Sequence, residues 1–470
     1  MKVSFKELKT GERAKIQKLR TWTERMDGLF LNRFLGIPLF LGMMYLMFFF
    51  ATYVGGSFQS FFEMTSRTLF VDGLRQGLAY FSLPNWFLAL MVDGVGQGIH
   101  ITLSFIPVMT GMFLALSFLE ASGYMARAAF VMDKIMQWVG LPGKSFVPLM
   151  IGFGCNVPAV MATRTLDTQG ERLLTILMTP FMSCSARFSI YALFAATFFR
   201  DQGQNIIFGL YLIGILIAFA TGLILRTVLR SKDRASLILE LPPYRWPNLK
   251  MLWRRTWYNL SSFLLKAGSL IIILCSFFGV MTNSSSHVSD SHIAHIGKTL
   301  TPLFAPIGIE EDNWPATVGL VTGILAKEMV VGTLKALYSK EYTTQQMQQE
   351  QDDNTMVLRF GSTAAVISYL LFILLYFPCV SVVATMAREL NKSWALFSVL
   401  WTTGIAYSVA LLFYQTATIK DHPVSSLSWI TAVGCLLGIG LWGMRKWAEL
   451  KVQNRKIRTN KLIPTRIVTL

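Results

Sequence analysis

Residues 146–163 read FVPLMIGFGCNVPAVMAT, an apolar stretch that glycine and proline interrupt in its middle. Gly152, Gly154 and Pro158 favour a bent or ended helix over a plain membrane span. Broken backbone at membrane depth leaves N–H and C=O groups unpaired, which is tolerated only where protein or a water-filled cavity satisfies them. A second stretch, NWPATVGLVTGILAKEMVVGTLKA at 313–336, has the same character. Both segments are therefore predicted to line a pathway.

The sequence around these segments is that of a membrane protein. Only 15% of the 470 residues are charged and 53% are hydrophobic, whereas soluble domains carry about 25% charged residues. This composition excludes an ordinary soluble enzyme. Eight stretches are apolar and long enough to cross a hydrocarbon core of about 30 Å as helices. They lie at 34–55, 98–119, 173–199, 206–226, 261–282, 361–385, 394–415 and 426–444. The predicted fold is an all-α polytopic membrane protein with about eight transmembrane helices and two broken, re-entrant hairpins.

The net charge of +17 is concentrated in three segments. Residues 1–33 hold nine basic and four acidic side chains, residues 226–255 hold eight and two, and residues 445–470 hold eight and one. Basic residues beside apolar spans mark the cytoplasmic side, so both termini and the middle connector are predicted to be cytoplasmic. The clustering favours a membrane over a nucleic-acid partner, although a basic tail that binds nucleic acid or anionic lipid is the alternative at 445–470. The predicted external loops, all of net negative charge, are 56–97, 283–312 and 338–357.

The layout of the chain suggests an internal repeat. Each interrupted segment precedes a span in which a proline and a cysteine lie close together, Pro180 with Cys184 and Pro378 with Cys379. Two inverted repeats with discontinuous helices that meet near the membrane midplane are predicted, as in many transporters. The predicted units are a basic N-terminal segment at 1–33, a first span and external loop at 34–97, a first repeat at 98–230, a cytoplasmic connector at 231–260, a second repeat at 261–415, and a last span with a basic tail at 416–470.

Three cysteines coincide with the predicted breaks: Cys155, Cys184 and Cys379. The order Cys155, Asn156, Pro158 predicts a helix start with Asn156 as its N-cap. A thiol at a helix N-terminus has a lowered pKa and is a better metal ligand. Three such thiols suit Fe(II), Cu(I) or Zn(II) better than Mg(II) or Ca(II). The alternative is that the cysteines pack as small apolar residues, as is expected for the other two, and no disulfide is expected.

Ionisable groups inside apolar segments are further candidates for function. Glu328, beside Lys327, is predicted to be a carboxylate on the ion path, or else a structural counter-charge. Glu120 is expected at the membrane interface, with a ligand at the pathway exit as the alternative, and Arg187 is expected to bind loop carbonyls or a carboxylate. The residues predicted to line the pathway beside these groups are Gly152, Gly154, Asn156, Pro158, Pro180, Ser183, Ser185, Lys327 and Pro378.

One external segment and one motif need separate mention. The segment SSSHVSDSHIAH holds His287, Asp290, His292 and His295, which could capture a metal ion weakly; a solvated polar loop is the favoured interpretation because the spacing fits no helix face well. Gly143-Lys144-Ser145 ends like a phosphate-binding loop, but Trp138 stands where the first glycine is required. No nucleotide site or enzyme is predicted.

Several long stretches closely resemble the membrane portion of one known family. They are LNRFLGIPLFLGMMYLMF, SGYMARAAFVMDKIMQWVGLPGKSFVPLMIGFGCNVPAVMATRTL, TPFMSCSARFSIYALFAATFF, ELPPYRWP, NWPATVGLVTGILAKEMVVGTL and LYFPCVSVVATMAREL. From about Thr23 to the last span, the chain resembles the ferrous iron transport protein B (FeoB) family. The resemblance implies an Fe(II) importer of the bacterial inner membrane with two nucleoside-transporter-like gate regions. Family pathway residues would correspond to Cys155, Cys184, Cys379, Glu328 and Glu120.

The chain departs from the family ahead of LNRFLGIP, where relatives carry a GTPase domain and this sequence has only the basic residues 1–33. The resemblance therefore implies either a GTPase that acts in trans or a shortened form of the protein. The expected partners are ferrous ion, the lipid bilayer, a GTPase subunit, small cytoplasmic accessory proteins and further copies of the chain. No covalent cofactor is expected, and GTP would bind only to a separate or missing domain. The alternatives are transport of a nucleoside or another divalent metal, and a non-transporting membrane scaffold.

Overall fold

A computed structural model describes residues 27–28, 35–79, 84–104, 106–199, 202–229, 244, 246–269, 272–273, 275–276, 292–325, 327–340, 356–420 and 423–461. Within these ranges the chain is built from helices and contains no strand. The structure thus has the all-α architecture that the composition predicts.

The α-helices are α1 (Gly36–Arg67), α2 (Gly73–Ala79), α3 (Asn85–Leu88), α4 (Gln97–Ser104), α5 (Ile106–Ser122), α6 (Tyr124–Val139), α7 (Phe146–Gly152), α8 (Asn156–Ala162), α9 (Gln169–Met178), α10 (Ser185–Phe198), α11 (Gly203–Leu229), α12 (Leu249–Phe263), α13 (His292–Phe304), α14 (Trp314–Leu325), α15 (Glu328–Lys340), α16 (Thr363–Leu375), α17 (Val380–Glu389), α18 (Lys392–Ala417) and α19 (Pro423–Lys461). Short 3-10 helices lie at Gly143–Ser145, Thr163–Thr165, Thr179–Phe181, Ala305–Ile307 and Glu311–Asn313, and π-helical turns lie at Thr68–Asp72, Ala89–Gly96 and Leu264–Gly268.

Six helical stretches of the described chain are long and apolar enough to cross a membrane: Leu90–Ser122, Gln169–Phe198, Gly203–Thr227, Thr363–Glu389, Lys392–Ala417 and Pro423–Gly440. They coincide with six of the eight predicted spans. Of the other two, 34–55 lies almost entirely within α1, a helix of 32 residues, and 261–282 is described only in part. These two spans stay predictions.

Segments that the charge pattern assigns to loops contain helices. The predicted external loop 56–97 includes the end of α1 and helices α2 and α3, and the connector 231–260 includes most of α12. Helix α12 begins where the Asn248 side chain accepts a hydrogen bond from the Lys250 backbone N–H at 3.0 Å. It buries Leu252 and Leu260 on one face. The apolar positions recur at helical spacing, but the high charge of the segment obscures them in the sequence.

Both interrupted segments are pairs of helices with a break between them. Helix α7 packs on α8 across residues 153–155, and α14 packs on α15, with Lys327 in the turn just before α15. The predicted proline breaks in the following spans are also present, between α9 and α10 at Pro180 and between α16 and α17 at Pro378. The backbone becomes extended at Met182, just after the 3-10 helix that holds Pro180, and at Tyr376, two residues before Pro378, so both spans are discontinuous.

An apolar cluster joins the broken helices of the two predicted repeats. The first predicted repeat, 98–230, is called the first half below, and the second, 261–415, the second half. Helix α17 packs on α8, and the cluster buries Val157 and Val160 of α8 together with Val382 and Met386 of α17. Ile176 of α9 completes this contact. The breaks of the two predicted repeats therefore lie on either side of one packed interface.

Candidate functional site

Each of the three predicted cysteines is the N-cap residue of a helix. Cys155 precedes α8, Cys184 precedes α10 and Cys379 precedes α17, and none of their side chains makes a capping hydrogen bond. All three are partly exposed thiols without a disulfide. As predicted, Cys155 lies at the N-terminus of a helix.

The predicted N-cap role of Asn156 is wrong, because Cys155 takes the extended backbone of that position and Asn156 is the first helical residue. Asn156 is buried. With its amide assigned so that the nitrogen faces the neighbouring carbonyls, Asn156 donates to the carbonyl oxygens of Gly152 at 3.0 Å and Thr179 at 3.2 Å. Thr179 lies at the second break of the same half. Asn156 thus ties the two breaks of the first half together by satisfying carbonyls that a broken helix leaves open.

Lys327 links the two breaks of the second half, as Asn156 does in the first. Its side chain is 3% exposed, and its ammonium donates to the carbonyl oxygen of Phe377 at 2.9 Å. The same ammonium lies 3.3 Å from the centroid of the Tyr376 ring. A buried ammonium is costly unless compensated, and here a break carbonyl and an aromatic face supply the compensation.

Glycines allow the breaks to approach closely. A Cβ on Gly152 would contact the Cβ of Met182 at 3.0 Å, and a Cβ on Gly323 would collide with the Tyr376 hydroxyl. That hydroxyl donates to the Leu320 carbonyl oxygen at 3.1 Å. Gly152 thus packs against Met182, beside the break between α9 and α10, and Gly323 packs against Tyr376, beside the break between α16 and α17.

Arg187 is confirmed as a residue that binds loop carbonyls. Its side chain is 1% exposed, and Nη1 donates to the carbonyl oxygens of Pro180 at 2.9 Å and Met182 at 3.4 Å. Ser183, in the same break, donates to the Tyr191 hydroxyl at 3.2 Å. The open carbonyls between α9 and α10 are therefore held by a buried guanidinium.

The cysteines of the two halves differ in where they pack. Cys155 and Cys379 both pack against the cluster between α8 and α17, whereas Cys184 is not among the residues of that cluster. No three His, Cys, Asp or Glu side chains within the described ranges lie close enough to hold a metal ion. The Glu328 side chain lies outside the described part of the structure. Within the described residues, the structure thus brings two of the predicted thiols to one interface and forms no three-thiol site.

A charge cluster clamps one end of the α8–α17 interface. Glu389, at the end of α17, accepts hydrogen bonds from Arg164 and from Arg172, and Arg164 Nε lies 3.0 Å from each carboxylate oxygen. The Glu389 side chain is 8% exposed. The hydrogen bond with Glu389 raises the pKa of Arg164 above its ordinary value, so its guanidinium stays charged. Both arginines belong to the first half and the carboxylate to the second.

A cavity of about 360 Å³ lies beside α8. Pro158 and Met161 of α8 line it, together with Glu120 at the end of α5. Arg255 of α12 also lines it and donates to a Glu120 carboxylate oxygen at 2.9 Å. The Glu120 side chain is 41% exposed.

Sequence comparisons with known proteins identify the family to which this chain is similar. A family model described as "Gate: Nucleoside recognition" matches residues 102–198 and 264–393, and one described as "Ferrous iron transport protein B C terminus" matches residues 207–258. The Fe(2+) transporter FeoB of Legionella pneumophila (strain Paris) is 46% identical over an alignment that covers 88% of this chain and 62% of that protein. The Fe(2+) transporter FeoB of Escherichia coli (strain K12) is 43% identical over an alignment that covers 94% of this chain and 64% of that protein.

This chain belongs to the FeoB family. It spans less than two thirds of the length of these FeoB relatives. No solved structure matches the chain. The three N-cap cysteines, the paired breaks and the clamp described above are thus features of a multi-pass membrane chain of the FeoB family.

The other predicted pathway residues of this FeoB chain lie at the breaks, and the predicted histidine segment is described only in part. Gly154, Pro158, Pro180 and Pro378 lie buried at the breaks, and Ser185 begins α10. His292 and His295 lie three residues apart on α13, so the view that the histidine spacing fits no helix face is wrong for this pair. His295 is exposed. His287 and Asp290 lie outside the described residues.

The FeoB chain also has functional candidates that sequence reasoning missed. Arg127, inside the SGYMAR motif, is 1% exposed and pairs with Asp27 at 2.9 Å. Its guanidinium lies 4.1 Å from the centroid of the Tyr244 ring. Burial raises the pKa of the Tyr244 hydroxyl. A charged residue between small apolar ones in SGYMARAAF was the available signal, because a buried arginine requires a partner.

Proposed function

We propose that this chain carries Fe(II) across the bacterial inner membrane and is itself a transporter and not an enzyme. The proposal is supported by the FeoB relatives, which are named as Fe(2+) transporters. The single observation that carries it is the packing of α8 on α17, which sets Cys155 and Cys379 against one apolar cluster. Two soft thiol ligands from opposite halves at one interface suit a transition metal that must shed its water.

The ion would enter from outside and pass between the broken hairpins of two inverted repeats, with both termini in the cytoplasm. Cys155, Cys184 and Cys379, the Glu328 carboxylate and break carbonyls would supply ligands in turn, with Glu120 at the exit. Each site must bind weakly enough to release the ion. The histidines near α13 with Asp290 would be at most a weak capture site.

The described arrangement is closed in this proposal. The apolar cluster fills the space between α8 and α17 beside the two thiols, so conduction requires the two helices to separate. The ion pairs of Glu389 oppose this separation because they join α17 to Arg164 and Arg172. A GTPase domain, supplied in trans or by a longer chain, would shift the closed–open equilibrium, together with accessory proteins or further copies of the chain.

A second function is favoured by one observation, the match to a model described as "Nucleoside recognition". A nucleoside transporter would have no need of thiol ligands. Transport of another divalent metal would keep the ligands and change the selectivity. A membrane scaffold would transport nothing.

Uptake of radioactive Fe(II) into proteoliposomes tests these functions against one another. Saturable Fe(II) flux above that of empty vesicles, inhibited by excess unlabelled Fe(II) and not by nucleosides, is the expected result. The assay is run at several membrane potentials, with and without an added GTPase of the family. Absence of flux in every condition would reject transport and favour the scaffold, while nucleoside flux alone would select the second function.

A further inference from the structure

Arg255 and Glu120 form an ion pair inside the cavity beside α8. The guanidinium Nη2 lies 2.9 Å from the carboxylate Oε1, and the two side chains are 45% and 41% exposed. Helix α12 packs on α5, and this packing sets Arg255 opposite the end of α5. The packing of the two helices therefore brings the two side chains within reach of each other.

The charged side chains that line the cavity disfavour the binding of a cation, because the basic groups outnumber the carboxylate. Among the described residues that line it, Glu120 is the carboxylate and Lys144, Arg164 and Arg255 are the cations. Lys144 pairs with Asp167 at 3.0 Å, and Arg164 pairs with Glu389. Neither Asp167 nor Glu389 lines the cavity, so Glu120 is the negative group that an ion would meet there, and Arg255 holds it.

We infer that Arg255 is a tethered cation that occupies the Glu120 carboxylate in the closed state, and that Fe(II) leaving the pathway must displace its guanidinium. This inference rests on the proposed function. A guanidinium and a divalent ion compete for the same carboxylate because both are cations that bind its oxygens. Arg255 is thus a specificity-determining residue, since it excludes ions that bind the carboxylate weakly.

The neighbouring Arg254 provides a matched control. It is exposed, lies on the same helix, and does not line the cavity, because successive helical residues point about 100° apart. Arg254→Gln and Arg255→Gln remove the same charge from the same helix. Only the second frees Glu120.

The test uses Mn(II) as a paramagnetic probe of divalent binding to the full chain in phosphatidylcholine vesicles, with free Mn(II) measured by electron paramagnetic resonance. Arg255→Gln is expected to lower the Mn(II) dissociation constant of the cavity by about two- to fivefold, the value of a partly exposed ion pair. Arg254→Gln is expected to leave the constant unchanged. The double variant Glu120→Gln/Arg255→Gln should lose the gain.

Arg255→Lys keeps the charge and most of the packing, so it should raise the Mn(II) affinity less than Arg255→Gln does. It serves as the test variant if Arg255→Gln does not fold. Equal effects of Arg254→Gln and Arg255→Gln, or a gain that survives Glu120→Gln, would overturn the inference. So would unchanged binding in both Arg255 variants. Fe(II) flux is measured on the same vesicles: absence of flux in the wild type rejects the proposed function, whereas the order of Mn(II) affinities still decides the role of Arg255.

Discussion

Lys327 and Phe377 join the two breaks of the second half, with the Lys327 ammonium 2.9 Å from the Phe377 carbonyl oxygen. Asn156 makes the corresponding link in the first half through the Thr179 carbonyl oxygen. In both halves a polar side chain from the break between the hairpin helices satisfies a carbonyl from the break in the following span. The two breaks of each half are therefore expected to move together when the pathway opens.

Replacing Lys327 by methionine tests the link in the second half. The change leaves the Phe377 carbonyl without its charged donor, and we expect a loss of about 2 kcal/mol in the free energy of unfolding. Denaturant or thermal unfolding in detergent measures the loss. Lys392→Met, at an exposed position that begins α18, is the control and should change stability little. Equal stability of the two variants would contradict the role of Lys327.

Asn156 gives a graded test in the first half. Asn156→Ala removes two donated hydrogen bonds and is expected to cost about 2 kcal/mol. Asn156→Asp should cost more, because a carboxylate would face the Gly152 and Thr179 carbonyl oxygens with acceptors only. The expected order of melting temperature is wild type, then Ala, then Asp. An aspartate variant as stable as the wild type would show that the amide does not donate to these carbonyls.

Gly323 tests the close approach of α14 to the break at Tyr376. Gly323→Ala places a Cβ against the Tyr376 hydroxyl, and we expect it to cost about 1–3 kcal/mol through overpacking. Gly332→Ala is the matched control, because nothing lies within 4 Å of the added Cβ; better helix propensity should stabilise that variant by about 0.5–1 kcal/mol. Adding Tyr376→Phe to Gly323→Ala should recover part of the loss, and no recovery would place the strain elsewhere.

Glu389→Gln tests the clamp. Neutralising a carboxylate that accepts from two arginines should weaken the α8–α17 contact by about 1–2 kcal/mol, a value between those of exposed and buried ion pairs. Cys155 should then react about five- to tenfold faster with a maleimide, since such an energy changes an opening equilibrium by that factor or more. Arg388→Gln alters the charge of the exposed neighbouring residue and should leave the rate unchanged. The clamp has no gating role if both variants react at the wild-type rate.

Cys155→Ser and Cys379→Ser test the thiol ligands. Each is expected to lower Fe(II) flux by roughly tenfold or more, since loss of metal-site groups commonly costs that much, with folded protein retained. Cys435→Ser, at an exposed position of α19, should transport like the wild type. Unchanged flux in both pathway variants would remove the thiols from the site and leave the nucleoside alternative open.

Several features were predictable because their physical causes are local. Proline disfavours a helix at the residue before it, so the break beside Pro378 follows from the sequence. At Pro180 the chain stays helical as far as Phe181, so there the sequence predicts a break but not the residue at which it occurs. A buried arginine such as Arg187 needs hydrogen-bond acceptors, and the carbonyl oxygens that it binds belong to Pro180 and Met182, only seven and five residues earlier in the chain. By contrast, Asn156 looked like an N-cap because sequence preferences do not reveal that the Thr179 carbonyl lies within reach.

The sequence by itself determined the helical membrane fold, six of the spans and the places where helices break, because apolar length, glycine and proline act within one element. Only the tertiary structure decided which groups meet across the two halves. Glu389 lies 225 and 217 residues from its arginines, and Arg255 lies 135 residues from Glu120. Hydrophobic periodicity tells which face of a helix is buried but not which distant helix covers it, so these contacts arise only when α8 packs on α17 and α12 packs on α5.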